Sequence, residues 1–256
     1  MSTIFKKICR LAGETVVKYQ LISGGDRILV GVSGGKDSLV LMHVLSHLRA
    51  VAPVDFSFEA VTFDPGFPEF AVESTASYCR EHGWKHHIVP LDVAAVIAEK
   101  SFERAPCVLC SRLRRGKLYG EAKRLGCGKL ALGQHLDDIV SSFMISLCRG
   151  QGITTMAPLA VPDNPEHPAV IRPLALVPEQ LIREYAATLQ LPEAGICRYK
   201  EQLESGDRVY FSKVIGKLSE YIPDLRSNIA HSLTRVEIDH LLIPSENKGS
   251  VPNMGR

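Results

Sequence analysis

Two short stretches hold the residue types that chemistry asks for. The first, SGGKDS, packs two glycines (Gly34, Gly35), a lysine (Lys36), an acid (Asp37) and two hydroxyls (Ser33, Ser38) into six positions. Glycines let backbone N–H groups close on an anion, and a helix opening just after them adds the positive partial charge of its N-terminus, so phosphate is the expected guest. The pattern is not a Walker A loop, because Val30 stands where its first glycine belongs and Asp37 follows the lysine in place of Ser or Thr. A plain glycine-rich turn with Asp37 or Ser38 near a helix N-cap explains the same letters. The second stretch, CVLCSRLRRGK, sets Cys107 and Cys110 two residues apart and then delivers Arg112, Arg114, Arg115 and Lys117 before any acid. Three chemistries suit such a pair. It is half of a zinc site, although the chain has no second CxxC. It is a redox dithiol, although that motif opens the helix after a first strand, which is not its place here. Or it ligates an iron–sulfur cluster, in which three thiolates leave one iron open to an outside ligand and a third cysteine must come from a distance.

Two further stretches carry acids at informative places. VTFDPGFP puts Asp64 at the end of a strand, suited to accept hydrogen bonds from ribose or adenine, and equally suited to form a turn before proline. LGQHLDD puts Gly133, His135, Asp137 and Asp138 between a strand and a helix, where acids also serve as simple N-terminal caps.

The surrounding pattern says what must position these residues. Runs of β-forming residues alternate with helical stretches: 28–32 then 36–48, 58–63 then 69–82, HHIVP then 111–125, and 129–133 then 137–148. That rhythm predicts an α/β fold, a doubly wound and mostly parallel sheet with helices on both faces. SGGKDS then lies at the carboxyl end of the first strand, where open α/β sheets bind ligands. Residues 1–24 read as an N-terminal helix, 25–190 as the α/β domain with a CxxC insertion near 101–112, 191–240 as a small helical segment, and 241–256 as a tail without periodicity. The stretch 149–168 is rich in Gly and Pro and reads as a long loop, and Pro178 introduces a helix over 178–189.

The chain has 256 residues, 45% hydrophobic and 23% charged, and a net charge of +2, which is ordinary globular composition with only a mild cationic bias. A polyanionic partner must therefore be met by a local patch. No run of eighteen apolar residues exists and the first residues are too polar for a signal peptide, so the expectation is a cytoplasmic protein with no membrane span. Seven cysteines without a secretory signal argue for reduced thiols, metal ligation or catalysis over a disulfide framework. Cys9, Cys79, Cys127 and Cys148 are expected to behave mostly as small buried hydrophobes. After CVLC, Leu118, Ala122 and Leu125 recur at helical spacing as a core face, which leaves Arg112, Arg114, Arg115, Lys117, Lys123 and Arg124 for other faces, with only Glu121 opposing them. Such a patch suits RNA phosphates or is a solvated face, and its cations favour thiolate over thiol in the neighbouring cysteines.

SGGKDS is the signature of the PP-loop ATP pyrophosphatases, which this chain resembles over nearly its whole sheet domain, with an adenine nucleotide alpha hydrolase-like fold as the implication. The resemblance implies that ATP is split between its α- and β-phosphates. It gives Ser33, Gly34, Gly35, Lys36, Asp37 and Ser38 to the pyrophosphate portion, Lys36 neutralising charge and Asp37 ligating Mg²⁺ directly or through water. It also draws Asp64, at the end of the second strand, toward the nucleotide, and with it Gly133, His135, Asp137 and Asp138 through a G-H-x-x-D-D-like element. PCVLCSRLRRGKLY, VTFDPGFP and IRPLA further make residues 3–200 similar to the tRNA 2-thiocytidine synthetases, iron–sulfur enzymes that adenylate a cytidine of tRNA and replace its oxygen by sulfur. That resemblance implies a [4Fe-4S] cluster on Cys107, Cys110 and Cys197, the last in GICRYK, and a homodimer. The typical member has a second CxxC where this chain has Cys197 alone, and Cys-x-Tyr is similar to the single-cysteine form of 2-thiouridine-forming enzymes, whose N-terminal zinc modules this chain lacks.

The expected reaction adenylates O2 of an unpaired anticodon-loop pyrimidine, most simply cytidine, and then exchanges AMP for sulfur at the cluster. Lys36, Asp37, Asp137 and the three cysteines carry it, Arg112, Arg114, Arg115 and Lys117 hold tRNA, and a cysteine desulfurase or free sulfide supplies sulfur. Two other readings differ in kind: a zinc-stabilised, non-catalytic nucleotide or RNA-binding module, and a PP-loop enzyme acting on a small metabolite.

Overall fold

The computed structural model describes residues 1–67, 70–91, 93, 106–193 and 206–242. Cys197 and the tail after 242 lie outside the described residues, as do residues 101–105 of the expected insertion. Six strands form one sheet in the order β3-β2-β1-β4-β6-β5: β1 Arg27–Gly31, β2 Ser57–Asp64, β3 His86–Pro90, β4 Lys129–Ala131, β5 Leu159–Ala160 and β6 Ala169–Ile171. All neighbours pair in parallel except β5, which runs antiparallel on β6 with Leu159 opposite Ile171. Leu159 and Ala160 thus interrupt the stretch 149–168 expected to be wholly loop, a strand too short to leave a period in the sequence.

The inner strands are apolar on both sides because helices cover both sides. Along β1, Ile28 and Val30 face one core with Ala60, Ala131 and Ile171, while Leu29 faces the other with Val61, Leu130 and Val170. Helices α1 Thr3–Lys18, α2 Lys36–Val51, α3 Val72–Glu81 and α6 Glu179–Ala186 supply the first core. Helix α4 Pro106–Leu125 supplies the second through Leu113, Leu118, Ala122 and Leu125, so the expected core face is the one buried. Among the described residues its cations meet few acids: Arg124 pairs with Glu121 at 2.7 Å and Lys123 with Glu166 at 3.3 Å. Helix α1 begins at Ser2, whose hydroxyl accepts the Phe5 N–H, and buries Phe5, Ile8, Cys9 and Ala12 at helical spacing.

Helix α5 Leu136–Cys148 leaves the end of β4 and packs against α7 Asp207–Ser219 and α8 Leu225–Ser232 through Leu136, Val140, Ile215, Leu225 and Ile229. Arg149 at the end of α5 grips Asp207 at the start of α7, Nη2 to Oδ1 at 2.6 Å. Cys9, Cys79 and Cys127 are buried as expected, and burial pushes the Cys9 thiol up to about 12. Cys148 departs from that expectation: it is the last residue of α5 and exposed. Among the described residues no helix is long and apolar enough to cross a membrane.

The strand order decides where a ligand can enter. The chain leaves β1 for β2 and β3, then returns across the sheet to place β4 on the other side of β1. Connections after β1 and β4 therefore diverge, and the crevice between their carboxyl ends is the switch point at which open α/β sheets bind ligands.

Candidate nucleotide site at the sheet switch point

Both walls of that crevice are motif residues. After β1 the chain turns through Gly34, whose φ of +79° a side chain would resist, and enters α2 at Lys36. The turn is tied internally. Ser38 Oγ donates to the Gly35 carbonyl at 2.9 Å and accepts the Ser33 N–H at 3.2 Å, and the Gly35 N–H reaches Ser33 Oγ at 3.3 Å. Ser38 is buried, so the loop is braced from within before any ligand arrives.

The other wall is the loop between β4 and α5. Gly133 lies so close to the first turn of α2 that a Cβ there would stand 3.0 Å from the Asp37 carbonyl carbon and oxygen and from the Ser38 nitrogen. His135, only 6% exposed, opens α5, and its N–H donates to Asp138 Oδ2 at 3.2 Å. Asp138 thus does perform the capping role. The imidazole faces three acids, with Nε2 at 3.4 Å from Asp138 Oδ2 and 3.8 Å from Asp37 Oδ1, and Nδ1 at 3.9 Å from Asp137 Oδ2. Asp137 turns the other way: its Oδ2 accepts the Glu179 N–H at 2.8 Å, capping α6 from a neighbouring helix, and its Oδ1 pairs with Arg226 of α8.

Glu179 belongs to no motif. It stands at the start of α6, where an acid reads as an ordinary complement to the helix dipole, yet its Oε1 lies 2.9 Å from Lys36 Nζ and 3.0 Å from Arg183 Nη2. Burial alone would raise its carboxyl, but hydrogen bonds from Lys36 and Arg183 outweigh that and hold it down to about 2. Lys36 is shifted the opposite way: burial lowers it, while Asp37, 3.0 Å away, and Glu179 together raise it above the usual lysine value. Arg226 was likewise invisible, since only folding brings α8 over α5.

Lys36, Asp37, His135, Asp137 and Asp138 therefore share one crevice with Ser33, Gly34, Gly35, Ser38 and Gly133. Asp64 ends β2, the strand beside β1, and its Oδ1 accepts the Gly66 N–H at 2.9 Å, which ties the turn that follows. Asp37 Oδ1 is buried and accepts no aligned hydrogen bond, an oxygen suited to a cation. Among the described residues, however, no three acid, imidazole or thiol groups form a ready-made cage. This is the arrangement expected for Mg²⁺ that arrives with phosphate oxygens among its own ligands.

Cys107 and Cys110 occupy the opening of α4, one helical turn apart. Cys110 is half-buried against the second core as a free thiol. Arg112, Arg115 and Lys117 are exposed beyond it, whereas Arg114 is half-buried with its Nε shielded and without a hydrogen-bond partner among the described residues.

Residues 5–192 match the model of the PP-loop domain family. The chain is 38% identical over 240 residues to the tRNA-cytidine(32) 2-sulfurtransferase of Syntrophotalea carbinolica, covering 93% of this chain and 92% of that protein. Against the tRNA-cytidine(32) 2-sulfurtransferase of Geobacter sulfurreducens the identity is 39% over 244 residues, covering 93% of each. Among solved structures, the U34-tRNA thiolase NcsA of Methanococcus maripaludis, determined with its [4Fe-4S] cluster, superposes with a TM-score of 0.73 at 23% identity, over 91% of this chain and 80% of that one.

Proposed function

This chain belongs to the PP-loop domain family and to the tRNA-cytidine(32) 2-sulfurtransferases, and on that premise we propose that it replaces O2 of cytidine 32 in tRNA by sulfur at the expense of ATP. The observation that carries the reading is the 38% identity to a tRNA-cytidine(32) 2-sulfurtransferase across nearly the full length of both chains. The crevice supports it with the parts that an α–β cleavage of ATP needs.

In this reading the amides of 33–38 and the Lys36 ammonium receive the pyrophosphate portion, with Lys36 leaving Glu179 for phosphate oxygens. Asp37, with Asp137 or Asp138, receives the Mg²⁺ that accompanies ATP. The base oxygen attacks the α-phosphorus, the bond to the bridging oxygen breaks, and pyrophosphate leaves. A sulfur at the sulfide level then adds at C2, AMP departs with the former base oxygen, and one proton is released. His135, enclosed and flanked by acids, keeps the floor of the crevice polar and fixed.

Cys107 and Cys110, with Cys197, would hold the [4Fe-4S] cluster. The donor set fits: two cysteines one turn apart at the opening of a helix rich in arginine. When bound, the cluster supplies a soft site for sulfur. The sulfur comes from a cysteine desulfurase or as free sulfide, the working unit is a homodimer as the family resemblance implies, and a tRNA substrate puts the enzyme in the cytoplasm.

The test is reconstitution of the anaerobically purified protein with ATP, Mg²⁺, sulfide and tRNA. The expected products are 2-thiocytidine by nucleoside mass spectrometry and pyrophosphate released only when tRNA is present. Cluster-loaded enzyme that yields neither on tRNA bearing cytidine 32 would refute the reading. Cys110→Ser is expected to lose most of its iron, read by metal analysis and visible absorption, while still binding ATP.

A further inference from the structure

Arg172 follows β6 directly and so stands at the carboxyl end of the sheet, one strand beyond the loop that carries His135. Its guanidinium is half-buried and fixed on two sides: Nε donates to Gln134 Oε1 at 3.0 Å and Nη1 to the Ala157 carbonyl at 2.6 Å. A guanidinium has five N–H donors. Three of them find no protein acceptor among the described residues, and no carboxylate pairs with Arg172 there. The charge that reaches it from outside its own loop has the same sign. Burial lowers its proton affinity, the Tyr119 ring opposes that, and Arg115, one helical turn before Tyr119 on α4, lowers it further. Arg115 is itself exposed and has no ion pair among the described residues.

The Tyr119 ring, one turn after Arg115 on α4, lies 4.7 Å from that of His167 just ahead of β6, so the two arginines stand on adjoining elements. With one partly desolvated and neither paired with a carboxylate among the described residues, they are costly in an unliganded protein, because buried charges are normally paired. A rigid fork with its remaining donors free is also the geometry that receives a phosphate in two hydrogen bonds. We propose that Arg115 and Arg172 form a subsite for one backbone phosphate of the RNA substrate, and that it leads the strand from the surface of α4 into the crevice between β1 and β4.

The choice of RNA over a lone phosphate rests on what continues from the pair. Arg112 and Lys117, both exposed, continue the cationic surface on either side of Arg115 along α4, a line that suits a chain of phosphates. Gln134, held by Arg172, immediately precedes His135 in the crevice, so the other end of the line points to the reacting centre. The polyphosphate of ATP is met separately by Lys36, on the β1 side. The subsite rests on the tRNA reading above and adds to it a residue, Arg172, outside the basic helix.

The experiment measures tRNA and ATP binding by the full-length protein across a salt series, for the unaltered chain, Arg115→Gln, Arg172→Gln and the double variant. Each single change is expected to weaken tRNA binding about tenfold, the worth of one charge-assisted phosphate contact. The slope of log affinity against log salt should fall by about 0.7–0.9 in the double variant, which loses the phosphate altogether, and by less in each single one. Because both arginines meet the same phosphate, the double variant should bind more tightly than independent losses would give, and ATP affinity should hold. Unchanged tRNA affinity and slope in Arg115→Gln would overturn the subsite, as would a loss confined to ATP. Arg172→Gln also removes the brace on Gln134 and Ala157, so if it unfolds, Arg115→Gln and Arg172→Lys decide: the lysine keeps the charge but not the fork, and should still lose affinity. If the unaltered protein shows no salt-dependent tRNA binding, the substrate reading itself fails, and that outcome is separate from neutral variants of a protein that does bind.

Discussion

At the scale of single residues, the crevice is governed by contacts that spacing along the chain does not reveal. SGGKDS and LGQHLDD were legible because glycine, lysine and acids cluster within a few positions, and the fold puts both at one switch point. Glu179 was not, because its meaning comes from Lys36, which only the folded sheet brings within 2.9 Å. Its carboxyl lies at about 2 instead of the ordinary 4.5. A depressed carboxylate stabilises the fold above its unfolded value and loses that contribution as pH falls through the folded one. The unaltered protein should therefore lose urea resistance as pH drops from 4.5 toward 2, and Glu179→Gln should show a flatter profile over that window, being less stable near neutrality. Gly133 makes a second residue-scale prediction. Gly133→Ala brings a methyl to 3.0 Å from α2 backbone that cannot swing aside, so we expect a loss of about 1–3 kcal/mol in denaturant titration. ATP binding should weaken with it, measured by calorimetry, since the atoms displaced belong to Asp37 and Ser38.

At the scale of elements, alternation of apolar runs and helical stretches gave the parallel sheet with its helices, because central strands buried on both faces read as continuous Ile, Leu and Val. Helix ends shifted by a few residues: α4 begins at Pro106, ahead of the expected 111, so that CxxC is part of its first turns. The small helical segment expected over 191–240 holds α7 and α8 among its described residues, separated at Pro223 and Asp224, the latter at a φ of +55°. These helices matter to the crevice because Arg226 of α8 holds Asp137. Their seat on α5 depends on Ile215, 2% exposed among Leu136 and Val140. Ile215→Ala should cost about 2–4 kcal/mol and loosen α7 and α8 before the sheet, seen as faster amide exchange in those two helices and slower exchange retained in β1 and β2.

At the scale of the whole molecule, a net charge of +2 conceals a division of labour. Exposed cations run along α4 with few acids to meet them, while the crevice gathers Asp37, Asp137, Asp138 and Glu179 around Lys36, Arg183 and Arg226. Composition could not show this separation, because it averages over surfaces that face different partners. The Lys36–Glu179 contact has a selective consequence. Before any nucleotide arrives, the lysine already has an anion, so a ligand must offer more than a carboxylate does in order to take its place. Inorganic phosphate or sulfate offers little more; a polyphosphate that brings its own divalent cation supplies several anionic oxygens to the lysine and amides while satisfying Asp37 as well. The protein thus carries a built-in occupant that screens out the small anions of the cell and yields to the one ligand able to engage the loop and the acids together. In Glu179→Gln only Asp37 remains beside the lysine, and inorganic phosphate should compete with ATP binding more strongly than it does for the unaltered protein.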